Sequence, residues 1–315
     1  AETSKPDGVV TCNMPNAGHT YIDSKGNKMI HKVLPNGIVS PNLKYVFIGP
    51  GAVFDIGRLQ DEMDQAKSFG YLEKVQVIIH PNATVLQDYH AEMESMQLNS
   101  IASTMQGSMA ATVEKMVRDP EARLLARHWQ NLMPPNVFVL SHGGWMEKIN
   151  ECRHILAEGS QGFSLGLNQR FYPFCTSREC TPFRLLSDMG LPQIRAEVWG
   201  TLRTYPIRVG NTPGGYSGDV HGDQSELTWD ELRQPEETTT VTGRVRRVFT
   251  FSREQLNEAL WHCRPDHLFL NFANYMDESS LGELTDDIDN IATQYGTAVK
   301  YFGYGPAFGD VIAAG

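Results

Sequence analysis

Short apolar runs, each breaking off at glycine, proline or asparagine, constrain this chain's fold more than any other feature. The clearest cover residues 8–13 (Gly-Val-Val-Thr-Cys-Asn), 44–49, 75–79, 137–140, 268–271 and 299–302, with a shorter mixed run at 28–34. Between them, Ile56, Leu59, Met63 and Ala66 recur at helical spacing behind Asp55, a good N-cap residue, until Gly70. Helices are also expected over 107–118, where Asp119-Pro120 supplies a stop, and over 145–157, 254–263 and 284–295. Near-continuous apolar strands alternating with helices suit a sheet covered on both faces. The expectation is an α/β fold, a mostly parallel central sheet flanked by helices, in one domain over 1–315. Residues 212–237, rich in glycine, proline and acid, read as a long loop.

The most chemically loaded stretch is 238–247, Thr-Thr-Thr-Val-Thr-Gly-Arg-Val-Arg-Arg. Arginine offers a rigid fork of donors that fits carboxylate or phosphate bidentately, and threonines add hydroxyl donors. In an extended segment Arg244 and Arg246 share one side and Arg247 takes the other. Either an anion clamp or a solvated, charged strand edge has this composition. The formal net charge of -10 separates a local clamp from a nucleic-acid-binding surface, which must be broadly basic. Five cysteines (Cys12, Cys152, Cys175, Cys180, Cys263) without zinc spacing are expected to be reduced thiols of a cytoplasmic protein. No apolar run reaches the roughly 18 residues of a membrane span.

Other candidates sit in loops. Asn16-Ala17-Gly18-His19-Thr20 follows an apolar strand, where open α/β sheets place ligand loops. Glu158-Gly159-Ser160-Gln161-Gly162, the segment 172–177 (Tyr-Pro-Phe-Cys-Thr-Ser) and Arg208-Val209-Gly210 each combine polar groups with turn residues. Taken singly, each is as well explained by a tight turn.

In this order, the pieces resemble adenylosuccinate synthetases along nearly the whole chain. That family couples L-aspartate to a 6-oxo purine nucleotide, using a nucleoside triphosphate and Mg²⁺, on a fold related to P-loop NTPases. The resemblance implies that Gly18 helps hold Mg²⁺ and that His19 stabilises the phosphoryl-transfer transition state. It implies purine-nucleotide contacts from Asn16, Ala17, Thr104, Gln106, Gln161, Thr176, Val209 and Arg244. Arg118 is implied to reach a neighbouring subunit's site in a homodimer. Thr240, Val241, Thr242 and Arg246 are the implied aspartate site. The triphosphate is assigned to Gly18, His19, Thr20, Arg246, Asn271, Asn274, Gly303, Tyr304 and Gly305.

Departures from the family refine the expectation. Its Gly-Asp-Glu-Gly-Lys-Gly-Lys phosphate loop is expected upstream of the strand at Gly8 and is not among these residues. The usual Leu-Thr-Lys-Leu-Asp, which reads guanine, is Leu-Asn-Phe-Ala-Asn at 270–274, with Asp277 the nearest substitute carboxylate. A shortened, substituted chain of this kind resembles the phage-encoded 2-aminoadenylosuccinate synthetase branch, which takes dGMP rather than IMP. That branch implies ATP or dATP as donor and action in the host cytoplasm, without nucleic-acid or membrane partners. A ligase acting on IMP and a non-catalytic nucleotide-binding relative are the alternatives.

Overall fold

The computed structural model describes residues 1–98, 101, 103–192, 195–209, 216–239 and 243–314. Val9 and Val10, wholly buried, lie at the centre of β1 (Gly8–Thr11), which leads into a hairpin of β2 (His19–Ile22) and β3 (Lys28–His31). Next come β4 (Tyr45–Ile48), β5 (Val53–Phe54) and α1 (Ile56–Ser68). Asp55 caps α1 by accepting from the Arg58 N–H, and Leu59, Met63 and Ala66 face the core as their spacing predicts. Then follow β6 (Gln76–Ile79), β7 (Thr84–Val85), α2 (Asp88–Gln97), α3 (Ser108–Val117), β8 (Val137–Val139), α4 (His142–Glu151) and β9 (Ile155–Glu158).

β1, β4, β6, β8 and β9 form one parallel sheet in the order β8-β6-β4-β1-β9. The second half contributes α5 (Pro182–Asp188), β10 (Trp199–Arg203), β11 (Ile207–Arg208), β12 (Glu226–Leu227), β13 (Arg247–Phe249) and α6 (Arg253–Cys263). It ends with β14 (His267–Asn271), α7 (Glu278–Ala292), β15 (Val299–Gly303) and β16 (Val311–Ala313). A second sheet, β10-β14-β15-β16, is parallel except for β16. The helix-covered, mostly parallel α/β architecture is therefore the expected one.

Three local expectations are corrected. The helix expected over 145–157 ends at Glu151, and residues 155–158 are instead the edge strand β9, paired with β1 from Gly8↔Ile155 onward. Asp7 forces the break, because its carboxylate accepts from the Arg153 and His154 backbone N–H groups and turns the chain. His19 and Thr20 lie not in a loop but on β2, opposite His31 and Ile30. Of the stretch 244–247 only part is extended strand: Val245 bridges back to Thr238, and β13 starts at Arg247. The segment 216–237 is irregular apart from β12.

His31, His80 and His221, all buried, and His19, partly buried, are held below their ordinary pKa, each chiefly by desolvation, and His80 falls to about 4. Below the ordinary histidine value of about 6.5, the unfolded chain thus binds more protons than the folded one. Their contribution to stability is complete above that value and is lost as pH falls through the folded pKa values. The thermal midpoint is expected to drop between about pH 7.5 and about pH 5.5, and a flat profile would contradict these burials.

Candidate active site

The carboxyl ends of the parallel strands carry the candidate residues, where open α/β sheets gather ligands. After β1 the chain passes through Asn16, whose Nδ2 donates to the Thr176 Oγ1 at 3.3 Å. After β9 comes Gln161, in the left-handed region at φ 70, whose Nε2 donates to the same oxygen at 2.9 Å. Three residues far apart in sequence thus converge on one buried hydroxyl.

Arg178 staples this region together, though no local sequence signal marks it. Its Nη1 donates to the Cys12 carbonyl at 2.7 Å and its Nη2 to the Ser160 Oγ at 3.0 Å, in a side chain that is almost wholly buried. Glu158 adds a second staple, accepting from the Asn36 and Gly37 N–H groups. Val209 is drawn in through its carbonyl, which accepts from the Ser217 Oγ, while neighbouring Arg208 stacks over Phe171 at 4.0 Å.

His19 begins β2 directly opposite His31. Burial holds its imidazole below the usual pKa, with His31 acting the same way and Glu62 opposing, so the neutral ring predominates at neutral pH. Its Nε2 is buried and has no protein partner among the described residues, which leaves it available to a substrate oxygen. Glu62 underpins the hairpin: its carboxylate accepts from the backbone N–H groups of Lys32, Val33 and Leu34 and from the Arg58 Nε. Lys32 reaches Gln106, which in turn donates to the Thr104 carbonyl, so the 104–106 segment adjoins the hairpin. An isolated bridge, Ile22↔Ala307, brings the segment after β15 to the same place.

Asn271 and Gly303 end adjacent strands. A Cβ at Gly303 would stand 2.7 Å from the Asn271 Oδ1, so a side chain there would push the Asn271 amide aside. Tyr304 N–H donates to the Asp310 carbonyl, and a Cβ at Gly305 would run into the Asp310 carboxylate. Asn274 is exposed on the turn that follows Phe272. Asp277, the nearest carboxylate, caps α7 through the Ser280 N–H and Oγ, both at 2.9 Å.

The arginines of the 243–247 segment divide their tasks. Arg247 is spent on structure, donating through Nε and Nη2 to the two Glu226 oxygens at 2.8 and 2.7 Å. Arg246 donates through Nε to the Thr238 carbonyl, and Arg244 meets Thr239 through backbone and hydroxyl bonds. Thr240, Val241 and Thr242 lie outside the described residues. Arg118, exposed at the left-handed end of α3, lines a cavity with Lys115, Arg127 and His128, apart from the cluster around Thr176. The described residues contain no cluster of three histidine, cysteine or acidic groups able to hold a metal by themselves. The five cysteines are free.

A buried polar subsite, an imidazole nitrogen with no protein partner among the described residues and the arginines at 244 and 246 are carried on a mostly parallel α/β fold, an arrangement suited to a nucleotide-binding enzyme. The family model for adenylosuccinate synthetase matches residues 3–128 and 129–307. The chain belongs to the adenylosuccinate synthetase family, whose members are carbon–nitrogen ligases. It is 49% identical, over 99% of its length and 91% of the relative's, to the N6-succino-2-amino-2′-deoxyadenylate synthase of Vibrio phage phiVC8. The solved succinoaminodeoxyadenylate synthetase of cyanophage S-2L, bound to dGMP and to dATP as an energy donor, superposes with a TM-score of 0.89. That match is 36% identical and covers 99% of this chain and 88% of the other. The Plasmodium falciparum adenylosuccinate synthetase structure, at 16% identity, covers 99% of this chain and 95% of its own with a TM-score of 0.72, a likeness of fold.

Proposed function

We propose that this chain joins L-aspartate to C6 of dGMP. The substrates dGMP, L-aspartate and ATP or dATP give 2-amino-2′-deoxy-N6-succinyl-AMP, the corresponding diphosphate and phosphate, on the route to diaminopurine DNA. The observation that carries this reading is the 49% identity to the phiVC8 synthase across 99% of the chain. In the reaction, O6 of the base attacks the γ-phosphorus and the diphosphate leaves. The aspartate amine then attacks C6, and phosphate leaves with O6. Asn16, Gln161 and Thr176 are assigned to the purine nucleotide, together with Ala17, Thr104, Gln106, Val209 and Arg244. His19 donates through its free nitrogen to charge developing on the transferred phosphoryl group. Arg246 binds an aspartate carboxylate.

Mg²⁺ would be held by the Gly18 backbone carbonyl together with substrate phosphate oxygens, the oxygen ligands this cation takes. When bound, it neutralises phosphate charge. No described helix is long and apolar enough to cross a membrane, and the enzyme is assigned to the host cytoplasm. Product formation from dGMP and from IMP, followed by mass spectrometry in parallel incubations with aspartate and ATP, tests the assignment. Faster turnover of IMP would overturn it.

The donor is read as an adenine nucleotide. The Asn274 amide can donate to adenine N1 and accept from the 6-amino group. Guanine meets one neutral amide acceptor where the family's aspartate offers a carboxylate, so its N1–H and 2-amino group lose charge-assisted bonds, and Asp277 is engaged at its helix cap. Losing a hydrogen bond to a charged group, about 1.5–3 kcal/mol, corresponds to roughly a tenfold preference in kcat/KM for ATP over GTP. A preference for GTP would refute this role for Asn274.

A second copy of the chain is assigned to the face beside Arg118. There α2 and α3 leave an apolar groove of about 400 Å³, lined among others by Tyr89, Met93, Met109, Val113 and Val117. Mixing Arg118→Ala protein with His19→Ala protein is expected to restore activity, because one site of the mixed dimer is intact. Failure to recover activity after verified subunit exchange would exclude shared sites.

A further inference from the structure

Glu237 immediately precedes the arginine hairpin, yet its side chain points to other elements. Its Oε1 accepts from the Arg203 Nη2 at 2.5 Å and from the Tyr275 hydroxyl at 3.0 Å. Its own carbonyl accepts from the Arg246 N–H at 2.8 Å. Arg203, at the end of β10, lays its guanidinium 3.4 Å above the Phe272 ring. Thr204, next along the chain, donates through Oγ1 to the Phe272 carbonyl at 2.8 Å and through its N–H to the Asn271 carbonyl at 3.1 Å. Three separate segments therefore meet at one carboxylate.

The arrangement is more than a surface ion pair. Arg203 and Glu237 side chains are only 20% and 21% exposed. Arg203 and Arg246 oppose each other electrostatically, and Glu237 is the negative charge that acts on both. Phe272 holds a left-handed backbone, φ 63, that a bulky residue keeps only where its surroundings over-determine it. The Arg203 stack and the Thr204 bond supply that constraint.

We propose that Glu237, acting through Arg203, is a positioning residue that ties the donor-base turn at Phe272–Asn274 to Arg246, so that donor and aspartate binding are set together. The inference rests on the donor and aspartate assignments made above. Neither Glu237 nor Arg203 touches reacting atoms in this scheme. Glu237 supplies the shared counter-charge, and Arg203 holds Phe272 in the conformation that presents the turn.

Steady-state kinetics of Glu237→Gln and Arg203→Met, alone and combined, with ATP and aspartate varied in turn, test it. Losing charge-assisted bonds at Glu237 is expected to raise both KM values about tenfold. Arg203→Met is expected to raise the KM for ATP alone. On that parameter the double variant should match Glu237→Gln, because both changes break one linked unit. Should Glu237→Gln fail to fold by thermal melting, Tyr275→Phe, which removes one donor to the same oxygen, is expected to raise both KM values to a smaller degree. The proposal is overturned if Glu237→Gln, or Tyr275→Phe in its place, leaves either KM unchanged, or if the effects on ATP simply add. Unaltered protein assayed alongside separates the two claims: its failure to turn over dGMP strikes the proposed function, whereas normal turnover with unaffected variants strikes only this inference.

Discussion

Glu62→Ala is expected to destabilise the protein by about 3–5 kcal/mol, chiefly because it orphans several buried backbone donors at once. Glu62 is 2% exposed and serves four donors: three consecutive backbone N–H groups at Lys32, Val33 and Leu34, and the Arg58 guanidinium. Alanine leaves those N–H groups unpaired in the core, and each orphaned donor costs about 1–3 kcal/mol before relaxation. Arg58 also donates to the Ile30 carbonyl and is partly exposed, so water relieves part of its loss. Glu62→Gln keeps one accepting oxygen but turns an amide NH2 towards other donors, and should fall between. Urea unfolding of the three proteins measures the difference. A loss below about 1 kcal/mol for Glu62→Ala would mean that the three N–H groups find other partners. Because the same bonds fix the end of β3 opposite His19, residual activity should fall even where the variant is folded.

His19→Ala should lower kcat by about 10²–10³-fold while leaving the KM for the purine nucleotide within a few-fold, as expected for a donor that acts only as charge develops. The motive is geometric: the Nε2 is buried on a neutral ring and has no protein partner among the described residues, on the strand that follows Asn16. Such a nitrogen costs stability unless a ligand uses it. His19→Asn, which keeps a neutral donor on a shorter arm, should recover part of the loss. A KM increase with kcat unchanged would reassign His19 to ground-state binding.

The sequence by itself determined the class of fold, because burying a sheet on both faces demands apolar runs such as 8–13 and 44–49 that are visible locally. It also determined where α1 begins, since Asp55 caps it within three residues. Helix α2 was not legible, and the reason is physical: the residues it buries are His90 and Glu94, so no apolar stripe marks it. Glu94 is buried because it accepts from the Gly107 and Met109 N–H groups, partners supplied by a different segment. The same limit applied at the site. Motif order named Asn16, Gln161 and Thr176, but not that all three meet at one hydroxyl, nor that Arg178 ties the Cys12 carbonyl to the Ser160 hydroxyl beside them. The three arginines at 244–247 look equivalent in sequence. Only tertiary structure separates Arg247, held by Glu226, Ser217 and Gly218, from Arg246, whose backbone N–H meets the Glu237 carbonyl, because a charged group's role is set by the partners that folding brings near it.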